Sequence, residues 1–188
     1  MTSVADVVLV AAWLAVVGHN AYLSARGVQR APETRRAIAG LLLACALVAA
    51  GTYLERASGG RVAVPTIVTA VGLVVACSGA VLHVQARRTL GAAWSPRPDG
   101  AANLVERGAY RVVRHPLYLG LALLAVGTIA AHPSLPTITG GIGLLAGIAA
   151  KIQQEERALA ATFGPRWESY SRKVPRLIPR LDRDRVSR

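Results

Sequence analysis

Apolar runs alternate with charged segments along the whole chain, and the runs predict helices. The first extends from about Val4 to Leu23, the second over residues 37–54, the third from about Val64 to Val84, the fourth from Pro116 to near Ala131, and the fifth from around Pro136. At 1.5 Å per residue, a run of about 20 apolar residues covers a hydrocarbon core of about 30 Å, so the first run predicts a spanning helix. No Lys or Arg precedes it and Asp6 is its only early charge, which argues against a secretory signal. His19 and Asn20, near the end of that run, predict an interfacial pair or an interhelical hydrogen bond rather than a ligand site. Ser58-Gly59-Gly60 marks the turn between the second and third runs. Between the fourth and fifth, His132-Pro133-Ser134-Leu135-Pro136 forces a reversal, because each proline removes a donor and restricts its predecessor. A tight helical hairpin follows, with His132 as a turn residue.

The fifth run meets no breaker until Gly164-Pro165, about 27 residues or about 40 Å at 1.5 Å each. Only residues 137–150 are free of charge. The last turns, from Lys151 to Phe163, are therefore expected to project into water as part of the same rod. Gly143 and Gly147 form a small-xxx-small pair suited to close helix packing.

Composition sharpens this into an all-α integral membrane protein: 53% hydrophobic residues and a mean hydropathy of +0.39 are too apolar for an ordinary soluble domain of 188 residues. Residues 1–86 hold three expected spans, and residues 87–188 hold the hairpin, a polar junction before it and a basic tail. The net charge of +12 lies between the apolar runs and at the C-terminal end, the pattern of loops facing an anionic leaflet rather than of a nucleic-acid binder. Positive residues number four in 26–36, two in 55–61, six in 87–114, none around His132 and ten in 151–188. The larger counts fall on alternate loops, so the positive-inside rule puts the N-terminus outside and residues 87–114 and the C-terminus in the cytoplasm. Cys45 and Cys77 both fall in apolar runs, as free thiols without metal-ligand spacing.

The chemistry is expected at the junction L-V-E-R-G-A-Y-R-V-V-R-H-P-L-Y-L-G, residues 104–120. Pro116 has no N–H to lose and a φ preset for a first turn, so a helix starts there, its free N–H groups in the same polar layer as Arg107, Arg111 and Arg114. Such an N-terminus beside guanidinium groups suits a carboxylate or phosphate. Tyr118 adds a hydroxyl and a stacking face, and Gly120 lets a ligand or another helix approach the backbone.

This junction resembles the signature of the isoprenylcysteine carboxyl methyltransferase and phospholipid methyltransferase superfamily, integral-membrane enzymes that use S-adenosylmethionine. The resemblance includes Leu90-Gly-Ala-Ala-Trp94-Ser95 upstream, then Glu155-Glu156-Arg157-Ala-Leu159, Phe163-Gly164, Trp167-Glu-Ser-Tyr170 and Val174-Pro-Arg-Leu-Ile-Pro179, about half the chain. Added to the five spans read from the apolar runs, it implies a methyltransferase whose site lies at the cytoplasmic face. Tyr110, Arg114, His115, Pro116, Tyr118, Gly120, Glu155 and Glu156 are then candidates for holding S-adenosylmethionine. Lys151, Glu155 and Glu156 are candidate catalytic residues, with Trp94 and Lys151 toward the acceptor. Many relatives have an arginine where this chain has Lys151, which keeps the charge without the flat five-donor fork; pairing with Glu155 or snorkelling to the interface are its structural readings. The chemistry suits these residue types, since the cofactor's carboxylate calls for cations or N–H donors and its ammonium and ribose for carboxylates. The implied partners are the bilayer and a lipophilic methyl acceptor. A membrane reductase of the steroid-reductase type with a nicotinamide cofactor, and a non-catalytic scaffold, are the alternative readings.

Overall fold

The computed structural model describes residues 4–25, 63–91 and 104–179. The second apolar run, the Ser58–Gly60 turn, Cys45 and Trp94 lie outside the described residues. Within them the chain is helical, with no strand: α1 (Val4–Ala25), α2 (Thr66–Leu90), a 3-10 turn (Gly108–Arg111), α3 (Pro116–Ala131), α4 (Leu135–Phe163) and α5 (Pro165–Lys173). Three of these, α1, α2 and α4, are long and apolar enough to cross a bilayer, and α3 is a shorter apolar helix. Val4, Val7, Leu14, Ile67, Val71 and Val74 stand exposed on α1 and α2, as side chains that meet lipid do. The protein is an all-α integral membrane protein.

The centre of the bundle is the antiparallel contact of α2 with α3, which small residues bring to backbone distance. A Cβ built on Gly79 would lie 2.5 Å from the Gly120 carbonyl oxygen and 2.6 Å from the Leu124 nitrogen. Gly72 meets Gly127 and Ala131 in the same way two turns earlier. With no side chain between them, the helices gain dispersion contacts along their whole length, the main attraction available where lipid competes equally for apolar surface. The pair expected from spacing, Gly143 and Gly147, has no atom within 4 Å of a built Cβ among the described residues. The close approach is instead made by glycines two turns apart on α2 and α3.

Helix α1 packs on this pair through Leu9, Ala12 and Val16, and Trp13 Nε1 donates to Thr128 Oγ1 at 3.2 Å. The interhelical hydrogen bond expected near His19 and Asn20 is present: Asn20 Nδ2 lies 2.9 Å from His83 Nε2 on α2. The α3–α4 hairpin turns at His132–Ser134, and Ser134 caps α4 reciprocally with Thr137. The Thr137 N–H donates to Ser134 Oγ at 3.3 Å and the Ser134 N–H to Thr137 Oγ1 at 2.9 Å, satisfying donors that a helix start leaves free. Helix α4 then runs as one unbroken rod to Gly164, whose φ of 49° ends it and lets Pro165 open α5.

Candidate active site

Two extended segments close the polar end of the bundle. The N–H groups of Arg114 and His115 donate to the carbonyls of Pro175 and Arg176 at 2.8 and 3.2 Å, so residues 174–176 strap down the segment that leads into α3. Beneath the strap, Leu104, Trp167, Tyr170 and Val174 form a small apolar cluster of their own. The Tyr170 hydroxyl donates to the Tyr110 carbonyl at 2.7 Å, and the Arg114 guanidinium stands 5.6 Å from the Trp167 ring centre. Trp167 and Tyr170 lie on one face of α5, three residues apart, which is why so short a helix docks firmly.

Against this frame α4 presents two adjacent carboxylates that take different partners. Glu155 accepts the Tyr118 hydroxyl at 2.5 Å. Glu156 is the centre of a cationic cluster: His115 Nε2 lies 3.2 Å from its Oε1, Arg114 Nη2 lies 3.4 Å from the same oxygen, and Arg176 grips both oxygens through Nε and Nη2. The second imidazole nitrogen, His115 Nδ1, is 4.0 Å from Glu155 Oε2. The carboxylates therefore stand on either side of one buried histidine at the N-terminus of α3. Pro116 is the first residue of that helix, and Leu119 is the first to bond back, to the His115 carbonyl at 2.9 Å. The N–H groups of Leu117 and Tyr118 precede that first helical bond and point into the same layer.

Burial holds the His115 imidazole below its ordinary range, against the opposing pull of Glu156. The ring is therefore neutral near pH 7, its Nε2–H donating to Glu156 and its Nδ1 lone pair turned toward Glu155. Burial first and the Glu155 charge second push the Tyr110 phenol well up, and burial pushes Tyr170 up to about 12, so both remain neutral donors.

Of the residues expected here, Tyr110, Arg114, His115, Pro116, Tyr118, Glu155 and Glu156 come together. Arg107 and Arg111 are exposed and stand apart from the carboxylates. Gly120 faces the backbone of Gly79 and His83, so the partner it admits is a helix. Lys151 is half-buried one turn before Glu155, with no ion pair between them among the described residues. Arg176 enters the cluster without having been singled out as a site residue; its signal was its place in the strap motif. Arg87, only 1% exposed, is brought under the Tyr110 and Tyr118 phenols by the extension of α2 past Val84 to Leu90.

Residues 70–161 match the Isoprenylcysteine carboxyl methyltransferase (ICMT) family. The chain is 40% identical over 77 residues to Methanethiol S-methyltransferase 2 of Bradyrhizobium diazoefficiens, covering 38% of this chain and 27% of that protein. To the Probable protein-S-isoprenylcysteine O-methyltransferase of Oryza sativa subsp. indica it is 31% identical over 121 residues, covering 61% of this chain and 63% of that protein. Its fold is similar to the structure of the eukaryotic intramembrane Ras methyltransferase ICMT, with a TM-score of 0.56 at 23% identity over 81% of this chain and 54% of that one. The matched region thus spans between 27% and 63% of the length of these relatives.

Proposed function

We infer the activity of this chain from its similarity to the isoprenylcysteine carboxyl methyltransferase family: it transfers a methyl group from S-adenosylmethionine to a lipophilic acceptor at the cytoplasmic membrane face. The observation that carries this reading is the meeting of Glu155, Glu156, His115, Arg114 and Tyr118 at the start of α3, at the end of an apolar hairpin. Residues 87–188 form the catalytic region in this reading, with the spans before it as scaffold.

The residues fit the cofactor's functional groups. Glu156 is already occupied by two arginines and a histidine, so its part is to hold Arg114 and His115 in place. Glu155 keeps one oxygen free of any hydrogen bond among the described residues and is the acceptor for an ammonium or ribose hydroxyl. The Arg114 guanidinium and the free N–H groups at Leu117 and Tyr118 are the donors for a carboxylate. When bound, S-adenosylmethionine supplies a methyl carbon already activated by its sulfonium. The protein's task is then alignment and exclusion of water rather than electrophile activation. Pro116, with its fixed φ, aims the first turn, and Tyr118 fixes the Glu155 carboxylate.

What the acceptor requires depends on its nucleophile. A prenylcysteine-type carboxylate attacks without a base, whereas a thiol or amine must lose a proton. His115, neutral and with Nδ1 unprotonated, takes that proton at Nδ1 and passes through an imidazolium that the nearby Glu155 and Glu156 carboxylates stabilise. Lys151, one turn from Glu155 and nearest the apolar part of α4, is the cation for orienting an anionic acceptor. Trp94, assigned to the acceptor by its motif alone, lies outside the described residues.

Titration calorimetry of S-adenosylmethionine into purified protein tests the proposal, with a nicotinamide dinucleotide as the comparison. Saturable binding of the first is expected. Binding of the second alone would replace methyl transfer with a reductase. Methyl transfer from labelled cofactor to a prenylcysteine analogue or to an alkyl thiol then identifies the acceptor class.

A further inference from the structure

Beneath the proposed cofactor layer runs a chain of hydrogen bonds, buried at His83 and half-buried at Asn20, whose direction is fixed by its two ends. His83, 2% exposed on α2, has Nδ1 3.1 Å from the Leu117 carbonyl oxygen and Nε2 2.9 Å from Asn20 Nδ2. Asn20 Nδ2 also donates to the Val16 carbonyl at 2.8 Å. A carbonyl only accepts. The Leu117 oxygen therefore requires the proton on Nδ1, the Val16 oxygen requires the amide nitrogen of Asn20 on its side, and Nε2 is left as the acceptor for the second amide hydrogen. One neutral tautomer and one amide orientation satisfy every bond. The chain reads Asn20 to His83 to Leu117 and joins α1, α2 and α3.

Its end point is a particular peptide unit. The Leu117 carbonyl and the Tyr118 N–H belong to one rigid plane and point in opposite directions along α3. The carbonyl points back into the bundle, where His83 holds it. The N–H points out of the helix start, and it has no backbone acceptor among the described residues. The same plane carries Tyr118, whose hydroxyl sets Glu155. Gly120 lies against the His83 backbone, its built Cβ meeting the His83 nitrogen at 2.6 Å, so the backbone that carries the ring is held close to α3.

We propose that His83 is a positioning residue for the cofactor site: through Asn20 behind it and the Leu117 carbonyl before it, it fixes and polarises the 117–118 peptide whose free N–H and tyrosine face the ligand. Hydrogen bonds in series strengthen one another in a low-dielectric interior, so a donor on the carbonyl makes the N–H of that peptide a better donor. The inference rests on the proposed cofactor site, since it names what holds one wall of it.

Two conservative substitutions separate the two halves of the chain. An asparagine amide nitrogen occupies the place of Nδ1 and restores the bond to Leu117, whereas a glutamine reaches the place of Nε2 and restores only the link to Asn20. With the full-length protein in detergent, H83Q and H83A are expected to bind S-adenosylmethionine about tenfold more weakly, the worth of one hydrogen bond. H83N is expected to bind within about twofold of the wild type, even where its melting temperature falls as far as that of H83Q. Equal affinities for H83N and H83Q, or melting losses in all three with unaltered affinity, would overturn the proposal. A second readout does not depend on the cofactor. In protein labelled with 15N at histidine and tyrosine and 13C at leucine, Nδ1 of His83 is expected to be protonated. The Leu117 carbonyl and Tyr118 amide shifts are expected to move in H83Q and not in H83N. Failure of the wild type to bind S-adenosylmethionine would refute the function proposed above, while unmoved shifts in H83Q would refute the role given to His83.

Discussion

At the scale of single residues, the informative contrast is between Glu155 and Glu156. Adjacent residues on a helix point about 100° apart, yet both are engaged here because α3 and the 174–176 strap approach α4 from different sides. Their partners predict different failures. In Glu156→Gln the cluster of Arg114, His115 and Arg176 loses the charge that holds it. A wholly buried pair would cost about 3–5 kcal/mol, but Arg176 is half exposed and screened, so a loss of about 1–3 kcal/mol is expected by thermal melting. In Glu155→Gln the amide oxygen still accepts the Tyr118 hydroxyl, so stability should change by less than about 1 kcal/mol while affinity for S-adenosylmethionine falls about tenfold. Equal melting of E156Q and wild type would reduce the cluster to a surface ion pair. His115 adds a pH dependence whose sign follows from burial. The unfolded chain takes up a proton near pH 6.5, the folded imidazole only at lower pH, so below 6.5 the unfolded state holds more protons. The stability contributed by neutral His115 is complete above pH 6.5 and is lost as pH falls toward the folded value, then levels off. His115→Gln, which keeps a donor toward Glu156, should flatten that part of the melting-temperature profile between pH 7 and 5; an unchanged slope would assign it to other groups.

At the scale of elements, punctuation was legible and partnership was not. Pro116 and the His132–Pro133 breaker coincide with the two ends of α3 because both act through local backbone chemistry. Helix α2 runs past Val84, where the apolar run stops, because Arg87 is buried under the 3-10 turn and its surroundings replace lipid. Apolar periodicity carries no sign of that. The seven candidate residues that meet at the site were recognisable from motif chemistry, but the contribution of Arg176 and the support from His83 depend on a strap and a helix crossing that bring distant segments together. Among the described residues, glycine spacing shows a related limit. Gly143 and Gly147 have the right separation, but separation says only that a helix face is smooth, not what lies against it. Gly72, Gly79, Gly120 and Gly127 repeat at seven residues on both partners, and they make the contact. Gly79→Ala should therefore lower stability in detergent by about 1–3 kcal/mol, since a methyl group meets backbone that cannot yield. A Cβ on Gly143 meets nothing within 4 Å among the described residues, so Gly143→Ala should be neutral or gain up to about 1 kcal/mol of helix propensity. Thermal unfolding of the two variants side by side checks the pairing, and the reverse order would mean that α2 and α3 pack more loosely than these distances allow.

At the scale of the whole molecule, the direction of the helices bears on how the chain crosses the membrane. Gly79 lies against Gly120 and Gly72 against Gly127, so α2 and α3 are antiparallel. Trp13 reaches Thr128, level with the start of α2, and Asn20 reaches His83 nearer its end, so α1 and α2 are parallel. The end of α1 and the start of α2 are then at opposite ends of the bundle. Every described Lys and Arg side chain gathers at one end: Arg87, Arg88, Arg107, Arg111, Arg114, Lys151 and those of residues 157–176. At the other end, residues 4–7, 63–67 and 131–137 carry Asp6 as their one acidic or basic side chain of the Asp, Glu, Lys and Arg types. This asymmetry predicts that the basic end faces the cytoplasm. A reporter fused after Arg188 should read cytoplasmic, one before Asp6 should read outside, and one inserted at His132 should also read outside. The third is the sharpest of these, because α3 has 16 residues and measures about 24 Å at 1.5 Å each, short of a core of about 30 Å. If α3 and α4 cross in full, the His132 turn is accessible from outside and the membrane thins or the helix ends draw in around it. If the turn stops within the bilayer, an inserted tag is reached from neither side, but removing this pair leaves an odd number of crossings, so the reporters at the two ends keep their readings and only the one at His132 changes. An N-terminus in the cytoplasm would reverse the direction assigned to α1 and, since α1 and α2 are parallel, would put Arg87 and the carboxylate pair on the outer face; found together with a cytoplasmic Arg188, it would instead overturn the parallel packing of α1 on α2, because the strap that leads to the C-terminal tail lies at the same end as the carboxylates.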